Sequence, residues 1–345
     1  MGLGSSQCNV YACGLVGQYL GAALKSFLVW LFFAMALIFV AKTDVRSQES
    51  PPAWAYPVNP PDFKPSPDDG IPRHVPDSTA SMTLTQVRDR FYTADWHPDD
   101  HGPMPDVVAR GRKPDVSACG FCHRADGPGG PESANLMGLP VAYFVRQMAE
   151  IKSGARKSSV PNRAPIQLLN TLAAAITDDE VQASARYYST LKPRATIKVV
   201  ESEMAPKTVV TAWFLTLVSS GETEPLGERI IEGGSATNLL QFVNKDSRTL
   251  FIAYVPKGSI EKGRAQAASG DASVQCGTCH GPDLKGIGDI PGIAGRSPTY
   301  IFRQLYDFKH GARAGAESSL MKPPLEKLSI PDMIALAAYV ASLAP

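Results

Sequence analysis

The pentapeptide CGFCH at Cys119–His123 recurs as CGTCH at Cys276–His280 in a chain of 345 residues. C-x-x-C-H is the attachment signature of c-type haem. Both sulfurs have to reach one porphyrin edge, where they add across the vinyl groups, while the adjacent imidazole turns under the iron. One copy is a weak signal, but two copies in matching surroundings are a strong one. They imply two covalently bound haem c groups, each with its iron. Cys119, Cys122 and His123 attach one, Cys276, Cys279 and His280 attach the other, and His123 and His280 are the proximal iron ligands.

The surroundings repeat as well. A shift of 157 residues places Tyr143 on Tyr300, Arg146 on Arg303, Gln147 on Gln304 and Gly154-Ala155-Arg156 on Gly311-Ala312-Arg313. These segments read as one helix and its turn, written twice. Phe144, Met148 and Ile151 recur at helical spacing, and Gly154 is placed to cap the helix. Each half then closes with a helix opened by a capping box, Thr177 with Glu180 and Ser329 with Asp332. A short helix precedes each haem motif, VVARGR in one half and SIEKGR in the other, and Thr83–Tyr92 reads as a further short helix. Residues 194–258 differ in texture. Thr196–Val200, Val209–Val218, Leu239–Val243 and Leu250–Val255 are rich in β-branched and aromatic residues and read as strands.

A helix, C-x-x-C-H, a Pro-Gly loop, a Tyr/Gln helix, a methionine loop and a closing helix with an aromatic residue follow one another in each half, except that the first half lacks the methionine. This order resembles the class I cytochrome c fold, in tandem as in dihaem electron carriers, over residues 105–193 and 259–345. The resemblance implies a mainly α protein: two cytochrome c class I helical domains in tandem, with a small β-rich insert between them. The expected divisions are 1–47 (signal peptide or membrane anchor), 48–81 (Pro-rich extended segment), 82–193 (first domain), 194–258 (insert) and 259–345 (second domain).

The resemblance also implies a methionine as sixth iron ligand, and Met321, eight residues before the cap Ser329, matches it. The family's proline carbonyl, which receives the proximal histidine's free N–H, is matched by Pro291. The first half departs from this pattern. The position of Met321 is taken by Leu169, or in another register by Ala164, and residues 149–203 contain no methionine or histidine. Leucine fills the space without offering a donor atom. The remaining candidates are His97, His101, Met104, Met137, Met148 and His74, with His97 and His101 expected in a solvent loop. Ala134 stands where the family has proline, and any backbone carbonyl serves there. Arg146, Arg156, Arg303 and Arg313 read either as partners of haem propionates or as solvated helix charges. Tyr143 and Tyr300 read as packing for a haem edge.

Hydrophobic content of 44% and charged content of 19% fit a globular protein, and a net charge of +1 offers no field for nucleic acid. Phe27–Ala41 is an uncharged apolar run, short for a membrane span of about 20 residues and long for a signal-peptide core. It reads as a cleaved signal, with an uncleaved anchor over 26–41 as the alternative. Either places the protein in the periplasm, since haem is attached outside the bacterial cytoplasmic membrane. Cys8 and Cys13 read as free thiols in this leader. The nine prolines of 51–76 make a stiff segment that spaces the domains from the membrane or wraps over one of them.

The expected function is periplasmic transfer of single electrons. The donor would be a dehydrogenase or quinol-oxidising complex, and the acceptor a terminal oxidase or reductase. Three other readings stand beside it. The first haem is an open site of an enzyme or sensor, or the chain is the cytochrome subunit of a larger dehydrogenase, or the C-x-x-C pairs are zinc or dithiol sites. The last fits poorly, because histidine follows both pairs and neither lies in a βαβ pattern.

Overall fold

Capping side chains start the closing helix of each half where the sequence places them. The computed structural model describes Met1 and residues 50–345, apart from 219–220, 235–237 and 270–274. The apolar run Phe27–Ala41, Cys8 and Cys13 lie outside the described residues. The first repeat region holds α1 (Leu84–Arg88), α2 (Asp106–Ala109), α3 (Cys119–His123), α4 (Val141–Ser153), α5 (Ala164–Ala175) and α6 (Asp178–Ser189). Thr83 and Gln86 close a capping box on α1, and Thr177 and Glu180 close one on α6. Gly154 ends α4 at φ 75°, a left-handed cap that any side chain would strain. Phe144 of α4 packs with Leu172 of α5 and with Val181, Ala185 and Tyr188 of α6 in one apolar core.

The intervening segment is a mixed sheet with appended hairpins. Strands β1 (Ile197–Glu201), β2 (Met204–Pro206), β3 (Thr208–Thr211), β4 (Phe214–Leu217), β5 (Thr223–Pro225) and β6 (Ile231–Gly233) precede helix α7 (Leu239–Val243) and strand β7 (Phe251–Val255). The central strand β7 pairs parallel with β1 and antiparallel with β6. Leu239–Val243 was expected as a strand and is a helix. Phe242 stands edge-on between Phe214 and Phe251, at 4.9 and 5.8 Å between ring centres, so distant aromatic packing overrides local β preference.

The second region holds α8 (Ser259–Ala267), α9 (Cys276–His280), the small hairpin β8 (Gly286–Ile287) and β9 (Ile290–Pro291), α10 (Pro298–Lys309), α11 (Ser318–Leu325) and α12 (Ile330–Ser342). Helices α8 and α12 cross in backbone contact at Gly263, where a Cβ would lie 2.0 Å from the Ala335 carbonyl oxygen. The first region lacks this crossing. Its α2 is a single turn, and Gly111, in the matching VVARGR, sits after it in a turn. The segments expected as methionine loops are helices α5 and α11. Pro165 pre-sets the first turn of α5, whereas Pro323 and Pro324 lie inside α11.

Residues Pro51–Pro345 pack as one unit, and the proline-rich segment wraps rather than spaces. Ala55 and Tyr56 are buried in the second region's core, and Trp54 packs on Phe302 at 4.6 Å. Tyr56 donates to Asp307 at 2.8 Å, while Arg303 donates to the carbonyls of Ala55 and, from the first region, Pro131. Among the described residues no helix is long and apolar enough to cross a membrane.

The capping carboxylates make stability depend on acid. The Arg112 guanidinium, with help from Thr177, holds the Glu180 carboxyl at about 2 against its ordinary 4.5. Its folded-state pKa is depressed, so its contribution is complete above the ordinary range and disappears as pH falls toward 2. Glu180→Gln should therefore lower the melting temperature at pH 7, and the gap to the parent protein should close by about pH 2. A gap that persists at pH 2 would contradict this account.

Candidate functional site

Both C-x-x-C-H helices aim their histidine the same way. His123 Nδ1 is 2.8 Å from the Ala134 carbonyl, and His280 Nδ1 is 2.9 Å from the equivalent carbonyl of Pro291 on β9. A carbonyl only accepts, so Nδ1 carries the proton and Nε2 keeps its lone pair. Burial lowers the pKa of both imidazoles, which keeps them neutral and able to bind a metal.

The thiols of Cys119, Cys122, Cys276 and Cys279 are unpaired. Burial pushes Cys119 up to about 11 and raises Cys122 and Cys276 as well. Dithiol redox centres need the opposite shift. Thioether carbon–sulfur bonds need no thiolate in the finished protein, so these buried sulfurs suit haem attachment. Among the described residues no cluster of three or more His, Cys, Asp or Glu gathers around either pair.

The distal positions differ between the halves. Met321 is half-buried on α11, two residues before Pro323. Leu169 is half-buried on α5, beside buried Leu172. The expectation of solvent-loop histidines is corrected. His97 is 4% exposed, with Nε2 3.0 Å from Asp246 Oδ1. His101 bonds the Gly102 carbonyl through Nδ1 and approaches Asp95 at 3.3 Å through Nε2. Both are committed to protein partners, and His74 is exposed. Met104 and Met148 pack against the first apolar core, and Met137 is buried.

The four repeat arginines separate into two kinds. Arg146 pairs with Glu317, and Arg303 holds backbone carbonyls. Arg156 and Arg313 meet where the halves join. Their segments form an antiparallel bridge, with Lys157 N–H donating to the Ala312 carbonyl and Ala314 N–H to that of Ala155, both at 2.7 Å. Arg156 donates to Gln147, Tyr300 and Gln304, and Arg313 donates to Gln304 and Gln147. Arg296, which the sequence did not single out, adds a third guanidinium and donates to Asn135 of the first half. Glu150, bonded to Gln147, is the carboxylate that faces Arg156. Burial would raise the Tyr300 phenol, yet Arg156, Arg313 and Arg296 pull it below its ordinary value. Arg313 Nε is buried without a partner. A positive pocket of this kind fits carboxylates carried in by a ligand, as haem propionates are.

The insert packs against both halves, with Ile230 and Val255 in the second region's core, and it also reaches the first attachment motif. Arg124, directly after His123, is buried and donates to the Asp246 carbonyl and, at 3.0 Å, to Thr249. The Asp246 carboxylate accepts from His97, Gln241 and the Arg248 backbone. Lys245 Nζ sits 3.2 Å from the centre of the Phe121 ring, and burial pulls its ammonium down to about 7. No sequence signal marked Lys245 or Asp246, because the groups they meet at the first site, Phe121, Arg124 and His97, lie more than a hundred residues away.

No family model matches the chain. It is 26% identical to the thiosulfate dehydrogenase electron acceptor of Thiomonas intermedia over 232 residues, 66% of this chain and 80% of that protein. It is 24% identical to cytochrome c4 of Azotobacter vinelandii over 234 residues, 66% of this chain and 85% of that one. Over 78 residues, 22% of this chain, it is 36% identical to cytochrome c-554(548) of Halomonas halodenitrificans and takes in 94% of that protein. With the duplicated histidine geometry, these likenesses mean that the chain belongs to the class I cytochrome c family, as a dihaem electron-transfer protein with two covalently bound haem c groups.

Proposed function

We propose that the two haem sites are chemically unequal. His280 and Met321 coordinate the second iron, and His123 coordinates the first, where α5 offers leucine in place of methionine. The observation that carries this reading is the commitment of His97 and His101 to protein partners, which leaves Leu169 without an imidazole substitute. Bound haem supplies reversible one-electron chemistry at iron. The polypeptide fixes both imidazoles through backbone carbonyls, encloses the sulfurs of Cys119, Cys122 and Cys276 and gathers cations between the halves. Arg156, Arg313 and Arg296 would receive propionates there and hold the two groups in one fixed relation.

Its partners are redox proteins. The donor is proposed to be a periplasmic dehydrogenase or quinol-oxidising complex, and the acceptor an oxidase or reductase. The name of the Thiomonas relative makes a thiosulfate-oxidising enzyme the first donor to try. The working compartment is the periplasm, with the run at 26–41 serving as cleaved signal or anchor.

A second reading follows from the same leucine: the first iron binds a small external ligand. Carbon monoxide added to the fully reduced protein tests both. Pyridine haemochrome should give two haems per chain, and carbon monoxide should bind one of them. Binding to neither would mean that Met104, Met137 or Met148 supplies the missing ligand, and that the sites are equal after all.

A further inference from the structure

The two C-x-x-C-H motifs, alike in sequence, face different surroundings. In the second half Thr278 and Cys279 are exposed, and Ile287 beside them is 54% exposed. In the first half the equivalent positions are less exposed: Phe121 is buried, and Cys122 and Gly130 are half-buried. Phe121, equivalent to Thr278, is 8% exposed beneath Lys245. Arg124 is buried like its equivalent Gly281, but here the insert supplies the cover: Arg124 stacks on Phe251 of β7 at 5.2 Å and is tied to Asp246. Gly130, equivalent to Ile287, faces the Phe251 ring so closely that a Cβ there would lie 3.4 Å from it. The covering residues all come from the segment that the repeat does not contain. They are fastened by Trp96 to the Asn244 carbonyl at 2.8 Å, by His97 to Asp246, by Arg194 to Asp126 and by Arg248 to Asp100.

We propose that the 194–258 insert is an insulating cap on the first haem's attachment edge, leaving the Cys279 edge of the second as the port through which redox proteins exchange electrons. The first haem is then reached from within the protein, across the arginine-lined join. This rests on the dihaem reading given above. The port presents Ile287 at the tip of the β8–β9 hairpin, with exposed Asp283, Lys285 and Asp289 of mixed sign around it. It therefore fits a redox partner with a small apolar contact and no strong net charge of its own. Association at such a face depends weakly on salt.

The cap is testable on the holoprotein by stopped-flow reduction with hexaammineruthenium(II), a one-electron reagent. Each iron takes one electron from one reagent ion. Loss of the thioether–iron band reports the second haem, and the remaining change reports the first. In the parent protein the first haem's rate should level off as reagent rises, because transfer from the second haem limits it. Lys245→Gly combined with Phe121→Thr uncovers the position equivalent to Thr278 and gives it the same side chain. Lys245 sits at φ 57°, where glycine is at ease, so the fold is kept. In the variant the first haem's rate should become proportional to reagent and rise by about tenfold or more, within the span that association rates cover in one interface. Deuterium uptake by residues 119–124 should rise with it. A first-haem rate proportional to reagent in the parent protein overturns the proposal, as does an unchanged plateau in the variant. A haemochrome count below two per chain on the same sample would instead sink the dihaem reading.

Discussion

Replacing Met321 with alanine is expected to lower the potential of one haem and leave the other unmoved. Thioether ligation raises haem potentials, and axial ligands set them over a range of about 0.8 V. The loss should thus be on the order of a few tenths of a volt, far beyond what a surface change produces. Met321 is carried by a short helix whose next turn buries Leu325, and Lys309 reaches past it to the Leu328 carbonyl. These anchors stay in the variant, so the effect should be confined to the iron. A spectroelectrochemical titration checks it. The parent protein should show two separated midpoints, and in Met321→Ala the upper one should fall, with loss of the thioether–iron band. An upper midpoint that stays in place would show that another group binds the second iron.

Gly263→Val should be the most damaging substitution for stability. Helices α8 and α12 approach so closely there that the new Cβ would meet the Ala335 carbonyl oxygen at 2.0 Å and Tyr339 Cβ at 2.8 Å. A backbone oxygen cannot rotate aside as a side-chain tip does. Overpacking typically costs 1–3 kcal/mol, and contact with fixed backbone puts this site at about 3 kcal/mol or above. Gly102→Ala is the control, since nothing lies within 4 Å of a Cβ there. Denaturant midpoints for both variants, followed at the Soret band, should show a large shift for the first and almost none for the second. Equal midpoints would mean that the two helices can separate freely.

These two sites differ in how far the sequence announced them. Helix starts were legible because capping is local: Thr177 with Glu180 and Ser329 with Asp332 act within one turn. The proximal geometry was legible because C-x-x-C-H confines attachment and ligation to five residues. The intimacy of Gly263 with Ala335 was not, because the same Gly-Arg pair lies beyond a single-turn helix in the first half and inside a longer one in the second. Identical spacing also failed to separate the arginines. Arg146 and Arg303 share a position in the repeat, as do Arg156 and Arg313, and only the packing of the halves gave one pair buried glutamines and tyrosines for company. The β-rich segment misled at Leu239–Val243 for a similar reason, since Phe242 answers to rings brought from β4 and β7.

The strap formed by Trp54, Ala55 and Tyr56 has a consequence for inheritance. It is encoded ahead of the first repeat but fills the core of the second, and Arg303 clasps it together with Pro131. A gene fragment carrying residues 259–345 would lack the aromatic cover of Phe302 and the hydroxyl partner of Asp307. One carrying the first repeat would keep a ribbon with nothing to hold. Duplication made two haem-attachment sites from one, yet the second is now completed by residues encoded ahead of the first, so the two must be inherited together for its core to close.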